Sequence, residues 1–210
     1  MVMLGLLPLL VPTAPAQPAV PTIAVLPIAM KEGTETARET VQKTFKDLLE
    51  KSGNQIVEGP SVVAAWQNLG QKPFDEDIEG DETYPEMPTP KDLLSLGKKL
   101  KVDYVLASRL KWHTKSVWVG LGPKTKADCT IDVTIVDVKK SEISLNATDV
   151  KTDSTKKENG LAAAGALLVT PLFTVVSGGP KTPHQQRAGQ LAVAKALEPW
   201  LESRVSKKID

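Results

Sequence analysis

The sequence predicts an α/β fold in which a single mixed β-sheet is packed with helices. In the first half, short apolar segments alternate with segments of helical periodicity, and in the second half three strand-like segments follow one another. Alternating strands and helices are typical of parallel pairing, whereas consecutive strands are typical of an antiparallel meander. With 41% apolar residues in a chain of 210, one such sheet can enclose a core. The predicted order is β-α-β-α-α-β-β-β-α.

The first four elements are predicted from short apolar runs and helix-start signals. The run TIAVLPI, residues 22–28, is typical of a buried strand. A helix follows, and Thr36 with Glu39 predicts a capping box at its start. A strand at 55–57 then leads through Gly59-Pro60 into a second helix over residues 61–70. The apolar spacing places these residues on the buried face of the first helix: Ala37, Val41, Thr44, Phe45, Leu48 and Leu49.

The later elements begin with a well-marked helix. Thr89, Pro90 and Asp92 supply an N-cap, a first-turn proline and a first-turn carboxylate. Strands are predicted over 103–112, 126–138 and 142–150, and a last helix begins at Thr182-Pro183. The inner positions of the two helices are Leu93, Leu96 and Leu100 in the first, and Leu191, Ala192, Leu197, Trp200 and Leu201 in the second.

The predicted core draws on most of these elements. Cys129 is the only cysteine, so it cannot form an internal disulfide. It alternates with apolar residues along its strand, which predicts a buried thiol rather than a nucleophile or metal ligand. The residues expected inside are Leu26, Phe45, Leu48, Leu93, Val105, Ile131, Val133 and Ile135.

The amino terminus predicts export. Residues 2–11 form an apolar run too short to span a bilayer, and Ala14-Pro15-Ala16 places small residues where a cleavage site requires them. We therefore expect a signal peptide over 1–16, a Pro-rich linker over 17–21 and a single domain over 22–210. Because no cysteine lies near Gln17, the mature chain is not expected to be lipid-anchored.

The charge balance argues against nucleic acid as a partner. Lys and Arg total 26 against 25 for Asp and Glu, so no strong net field attracts a polyanion. Only Arg38, Arg109, Arg187 and Arg204 carry the planar guanidinium that recognises phosphates and bases well.

Several segments together resemble a group of bacterial envelope domains. They are Ile23-Ala24-Val25-Leu26-Pro27, the long helix after it, LGKKLKVDYVLASRL (96–110), Val136-Asp137-Val138 and Ser141-Glu142-Ile143. The group includes the curli-secretion lipoprotein (CsgG) family, the amino-terminal domain of TolB and the outer-membrane lipoproteins that activate peptidoglycan synthases. The resemblance covers residues 22–150 and the last helix. It implies a compact α/β fold that serves docking and assembly in the envelope, without a catalytic site.

The chain also departs from that group. Ser108 stands where the family often has glycine, and no lipobox cysteine is present. The segment from Lys115 to Lys126 is too short for an inserted hairpin of the curli type.

The motifs of catalysis are missing from the sequence. His113 and His184 lie in no nucleophile motif, no phosphate-binding glycine loop occurs, and GLGPK at Gly120 is typical of a hairpin turn. We therefore expect no enzyme activity and no cofactor. One acidic segment matches the ligand spacing of an EF-hand calcium loop, but Pro85 and the lack of flanking helices favour a solvated loop. Its candidate metal ligands are Asp75, Asp77, Glu79, Thr83 and Glu86.

The uncharged stretch from Leu161 to Val176 is the strongest candidate for an interaction patch. It lies within an apolar insertion at 159–179, between the last strand and the last helix. Burial against the sheet and an exposed patch for a partner or a membrane surface are both open. The residues of the candidate patch are Leu161, Leu167, Leu168, Val169, Leu172, Phe173, Val175 and Val176.

These observations favour a non-enzymatic exported protein that is periplasmic or peripheral to the outer membrane. It would act as a docking or assembly module on an envelope protein partner. The alternative is an oligomeric secretion or pore-complex subunit with a membrane-associated segment at 161–176. Peripheral membrane contact and homo-oligomerisation are compatible with both interpretations.

Overall fold

The computed structural model describes residues 20–72, 85–119, 122–154 and 182–206. Six strands and four helices occur in these ranges. In chain order they are β1 (Thr22–Val25), β2 (Ala29–Lys31), α1 (Glu35–Lys51), β3 (Gln55–Val57), α2 (Pro60–Gln67), α3 (Pro90–Leu100), β4 (Tyr104–Val119), β5 (Gly122–Asp137), β6 (Glu142–Asp153) and α4 (Thr182–Ser206).

The strands form one mixed sheet in the order β3-β1-β4-β5-β6, with β2 paired to β4 beyond the end of β1. β1 is parallel to β3 and β4, and β2 is parallel to β4. β4, β5 and β6 form an antiparallel meander. The predicted fold class, a single mixed sheet packed with helices, is confirmed.

The first predicted strand is two strands in the structure. Val25 pairs with Leu106 and Ala29 with Arg109. The segment from β1 to β2 therefore advances four residues while β4 advances three. The extra residue interrupts the pairing around Pro27, which has no N–H to donate to a neighbouring strand. The expected element order therefore lacked β2.

Helices cover both faces of the sheet and divide the core in two. α1 and α4 pack on one face in a cluster that includes Phe45, Trp112 and Leu197. α2 and α3 pack on the other face around Leu26, Trp66 and Leu93. All eight residues predicted for the core are at most 2% exposed, and the six predicted inner positions of α1 are buried.

The two predicted helix starts differ in outcome. Thr89 is the N-cap of α3, and its Oγ1 accepts a hydrogen bond from the Asp92 amide at 3.2 Å, as predicted. The capping box predicted from Thr36 and Glu39 is wrong. α1 begins one residue after its N-cap Thr34, which makes no side-chain cap hydrogen bond. Thr36 is already inside the helix, where its carbonyl accepts a hydrogen bond from Thr40 Oγ1 at 2.7 Å.

The β4–β5 hairpin is longer than the sequence predicts. Each strand has 16 residues, and their pairing runs from Tyr104–Asp137 to Val119–Gly122. The outer third lacks strict apolar alternation, which explains why it was not predicted as strand. Within the described ranges, no helix is long and apolar enough to cross a membrane.

Candidate functional site

One part of the sheet surface carries polar side chains and is not covered by any of the four described helices. On the side that α2 and α3 cover near β1, the long strands β4, β5 and β6 form a recess of about 520 Å³. We call this surface the polar face. It is lined by Arg109, Lys111, Thr130, Asp132, Thr134, Asn146, Thr148 and Asp149, with Met87 at its border.

The polar face results from strict alternation along the strands. Leu110 and Trp112 of β4 are fully buried under α4, so Arg109 and Lys111 lie on the opposite side of the strand. Ile131 and Val133 of β5 are likewise buried beside Asp132. A slip of one residue would place these charges in the core, which fixes the register of the strands.

Arg109 and Asp132 organise the centre of this face. Arg109 Nε donates to Asp132 Oδ2 at 2.7 Å, and Arg109 Nη1 donates to the Pro85 carbonyl at 2.6 Å. The two side chains are only 26% and 13% exposed, so solvent screens this ion pair less than one on the open surface. The arginine thereby fixes the segment before α3 against the sheet.

The second oxygen of Asp132 is held by a bulge in the edge strand. Ile131 pairs with Val150 and Val133 with Ala147, so Thr148 and Asp149 oppose the single residue Asp132. The bulge directs the Asp149 amide to Asp132 Oδ1 at 2.7 Å, and Asp149 has a φ of +54°. Both carboxylate oxygens are therefore bonded, and Asp132 is poorly suited to act as a general base.

The remaining groups of the polar face are suited to hydrogen bonding. Thr134 Oγ1 lies 3.2 Å from Asn146 Oδ1, and Thr130 and Thr148 add hydroxyl groups to the surface. Lys111 is 46% exposed and lies 3.9 Å from Glu32, which leaves its ammonium accessible to solvent. The face presents a fixed pattern of donors and acceptors with nearly balanced charge.

A second concavity lies at the carboxyl ends of β1 and β3. It also encloses about 520 Å³, and its apolar floor includes Val25, Phe45 and Ile56. Lys46 and Glu58 form an ion pair at its rim, 2.9 Å apart, and the hydrogen bond that Lys46 Nζ donates to Glu58 Oε1 raises the pKa of Lys46. Open α/β sheets commonly bind ligands outside the carboxyl ends of their strands.

The residues that catalysis would need are not brought together in the described part of the chain. Cys129 is buried under α4, where loss of solvent raises the pKa of its thiol far above the ordinary value. The imidazole groups of His113 and His184 make no hydrogen bond or ion pair with a described residue. No cluster of three His, Cys, Asp or Glu side chains suited to a metal occurs in the described ranges.

Most of the predicted site residues lie outside the described part of the chain. Of the calcium-loop candidates, Asp75, Asp77, Glu79 and Thr83 are outside, and Glu86 is an exposed residue before α3. The interaction patch within 161–176 and the predicted signal peptide are outside as well. The polar face was not predicted. The sequence does show polar residues that alternate with the buried residues of β4 and β5. It does not show which part of the sheet the helices leave uncovered, because that depends on tertiary structure.

Comparison with known proteins reveals distant structural likenesses. No family model and no curated protein matches the sequence. The hypothetical protein CT253 from Chlamydia trachomatis has 15% identity and a TM-score of 0.44, over 88% of this chain and 99% of that one. Lipoprotein GNA1162 from Neisseria meningitidis has 12% identity and a TM-score of 0.41, over 72% and 94%.

Of the expected resemblances, TolB occurs among the matched structures, and a match to the curli-secretion family is not shown. TolB from Acinetobacter baumannii has 13% identity and a TM-score of 0.26, over 77% of this chain and 30% of that one. Likenesses at these identities and scores do not assign the chain to a family.

Proposed function

We propose that this chain is a non-enzymatic exported protein of the bacterial envelope that docks on a protein partner through its polar face. The signal-like start and the sequence resemblance over residues 22–150 support the envelope location. The balanced charges of the polar face, with both carboxylate oxygens of Asp132 hydrogen-bonded, support docking rather than catalysis.

The observation that carries the proposal is the sheet surface that the described helices leave uncovered. β4, β5 and β6 are covered by α4 on one side, yet on the other side none of the four described helices lies over the recess around Arg109 and Asp132. Arg109 and Asp132 are held at fixed distances by three hydrogen bonds, so a partner would meet a preorganised surface. Arginine and ordered polar groups of this kind are common in protein interfaces.

The test is site-specific cross-linking in the native envelope. A photo-activatable residue at Thr148, exposed on the polar face, should give a discrete adduct, whereas the same residue at Ser95, exposed on α3, should not. The substitution Thr148→Arg should weaken association at least tenfold, and Ser95→Arg should leave it unchanged. Equal adducts at both positions, or none at Thr148, would contradict docking through the polar face.

The alternative function, an oligomeric secretion or pore-complex subunit, depends on the segment 161–176, which lies outside the described residues. Size-exclusion chromatography with and without detergent separates it from the docking module. A ring-sized species that forms only in detergent supports the pore subunit, and an unchanged small species in both conditions supports the docking module.

A further inference from the structure

The outer part of the β4–β5 hairpin extends beyond the rest of the sheet. β2 pairs with β4 only as far as Lys111, and β6 pairs with β5 only as far as Asp128. Pairing between β4 and β5 continues from Lys115–Lys126 to Val119–Gly122. We call residues 115–119 and 122–126 the ribbon. At about 3.4 Å per residue, the ribbon projects roughly 15 Å beyond its base at Lys115 and Lys126.

The helical layer reaches the base of the ribbon. The Gln185 carbonyl of α4 accepts a hydrogen bond from Trp112 Nε1 at 2.9 Å, and Gln185 Nε2 donates to Thr114 Oγ1 at 2.9 Å. Ala127, which pairs with Thr114, is fully buried, whereas Lys115 is exposed. The boundary between packed core and projecting ribbon therefore lies at Thr114 and Ala127.

The charge of the ribbon differs from that of the whole chain. The chain has a net charge of +1, but the ribbon contains Lys115, Lys124 and Lys126 and no acidic residue. Lys115 forms no ion pair with a described residue, and Lys126 lies 3.7–3.8 Å from Asp153 and Asp128 at the base. The ribbon sequence also includes the apolar run Val117-Trp118-Val119.

We propose that the ribbon binds the surface of a membrane rich in anionic lipids. Lysine ammonium groups are attracted to anionic headgroups, and tryptophan is enriched at the level of the headgroups. A projection of roughly 15 Å is about half of the hydrocarbon thickness, so the ribbon is suited to interfacial contact and not to spanning. A two-stranded ribbon is marginally stable in water, so a surface that binds it would also stabilise it. This contact is independent of the polar face.

The test is flotation of the full chain with vesicles of phosphatidylcholine alone and with 30% phosphatidylglycerol added (about one anionic lipid in three). The protein should bind the anionic vesicles, and binding should weaken as salt screens the charges. The double variant Lys115→Gln/Lys124→Gln should partition roughly thirtyfold less. The matched control, Lys139→Gln/Lys140→Gln, removes two lysines from the β5–β6 turn at the other end of the sheet and should bind like the original protein.

Tryptophan fluorescence is an independent measurement of vesicle binding. Trp66, Trp112 and Trp200 are at most 4% exposed, so a blue shift caused by anionic vesicles should come from Trp118 and vanish in Trp118→Phe. Circular dichroism of each variant confirms that it remains folded. The proposal is overturned if the protein binds no vesicles, if it binds neutral and anionic vesicles equally, or if the ribbon variants bind anionic vesicles as well as the control does. It is also overturned if the ribbon variants lose a protein partner while the original protein does not bind lipid.

Discussion

Asp103 ties together the amino ends of the two central parallel strands. Its Oδ2 accepts hydrogen bonds from the amide and hydroxyl of Thr22 at 2.7 and 3.1 Å, and its Oδ1 lies 2.5 Å from Lys139 Nζ. Burial acts to raise the pKa of Asp103, but the hydrogen bonds from Lys139 and Thr22 outweigh it and hold the pKa below its ordinary value. A depressed pKa means that the folded state favours the carboxylate.

The substitution Asp103→Asn should therefore lower stability at pH 7 and have less effect in acid. The stabilisation is present above the unfolded pKa, near 3.8, and is lost as the pH falls through the lower folded value. Urea unfolding from pH 7 to pH 2.5 measures the difference in free energy of unfolding between the original protein and the variant. Asp128→Asn, which removes an exposed partner of Lys126, is the control and should change little. A difference in free energy of unfolding that stays constant with pH would rule out this role for Asp103.

Phe45 is one of the largest side chains in the cluster between the sheet and α1, and it is 2% exposed. Its replacement by alanine should lower the free energy of unfolding by about 3–5 kcal/mol, because the cavity adds to the lost apolar transfer energy. Chemical denaturation measures the loss, and the exposed neighbour Gln42→Ala is the control. A loss below about 1 kcal/mol would mean that α1 relaxes to fill the space.

Individual core residues could be predicted from the sequence because periodicity alone decides which side of an element is apolar. The six inner positions of α1 and the alternating residues of β5 follow from that rule. The residue at which α1 begins could not be predicted by that rule. Thr34 and Thr36 are both acceptable caps, and the choice depends on contacts from distant segments, such as the 3.0 Å bond from the Thr34 amide to Gln185 Oε1.

The carboxyl end of α4 is held by an arginine between two aromatic rings. The guanidinium carbon of Arg204 lies 4.5 Å from the ring centroids of both Tyr104 and Trp200, and Arg204 Nη1 donates to Asn54 Oδ1 at 2.8 Å. The two rings meet edge to face, with centroids 5.8 Å apart. This arrangement joins α4 to β4 and to the residue before β3.

Arg204→Lys should lower the free energy of unfolding by about 1–2 kcal/mol, because lysine has no planar group to stack on two rings. Thermal unfolding measures the effect. The control is Tyr104→Phe, which keeps the ring and should be close to neutral, whereas Tyr104→Ala should resemble Arg204→Lys. If the lysine variant is as stable as the original protein, the stacking contributes nothing measurable.

The elements themselves were largely predictable, but their limits and neighbours were not. α3 was predicted with its cap because Thr89, Pro90 and Asp92 act locally. β2 was missed because the break at Pro27 is defined by the register of β4, a strand that lies about 80 residues further along the chain. For the same reason the sequence could indicate polar positions on β4 and β5 but not that α2 and α3 leave them uncovered.

The segment from 155 to 181 connects two points that the described domain already holds in place. The Ser154 amide donates to the Ala127 carbonyl at 2.9 Å, and Ser154 Oγ accepts from the Ala127 amide at 3.2 Å. Thr152 Oγ1 donates to the Ala188 carbonyl at 2.7 Å, which joins the end of β6 directly to α4. Gln185 in turn binds Glu32, Thr34 and Thr114. None of these contacts uses a residue of the connecting segment.

Deletion of residues 161–179, with a short Gly/Ser bridge, should therefore leave the domain folded. We expect a Tm within about 4 °C of the original value, equivalent to roughly 1–2 kcal/mol at this chain length. Replacement of the same residues by a Gly/Ser linker of equal length is the control for chain connectivity, because a longer loop closes at little extra entropic cost. Calorimetry and the hydrogen-exchange protection of the β4 and β5 amides are the measurements.

If both variants unfold, the apolar segment is part of the core. If they fold, the photo-cross-link at Thr148 should persist, since the polar face is intact. Its loss would assign docking to the apolar segment instead.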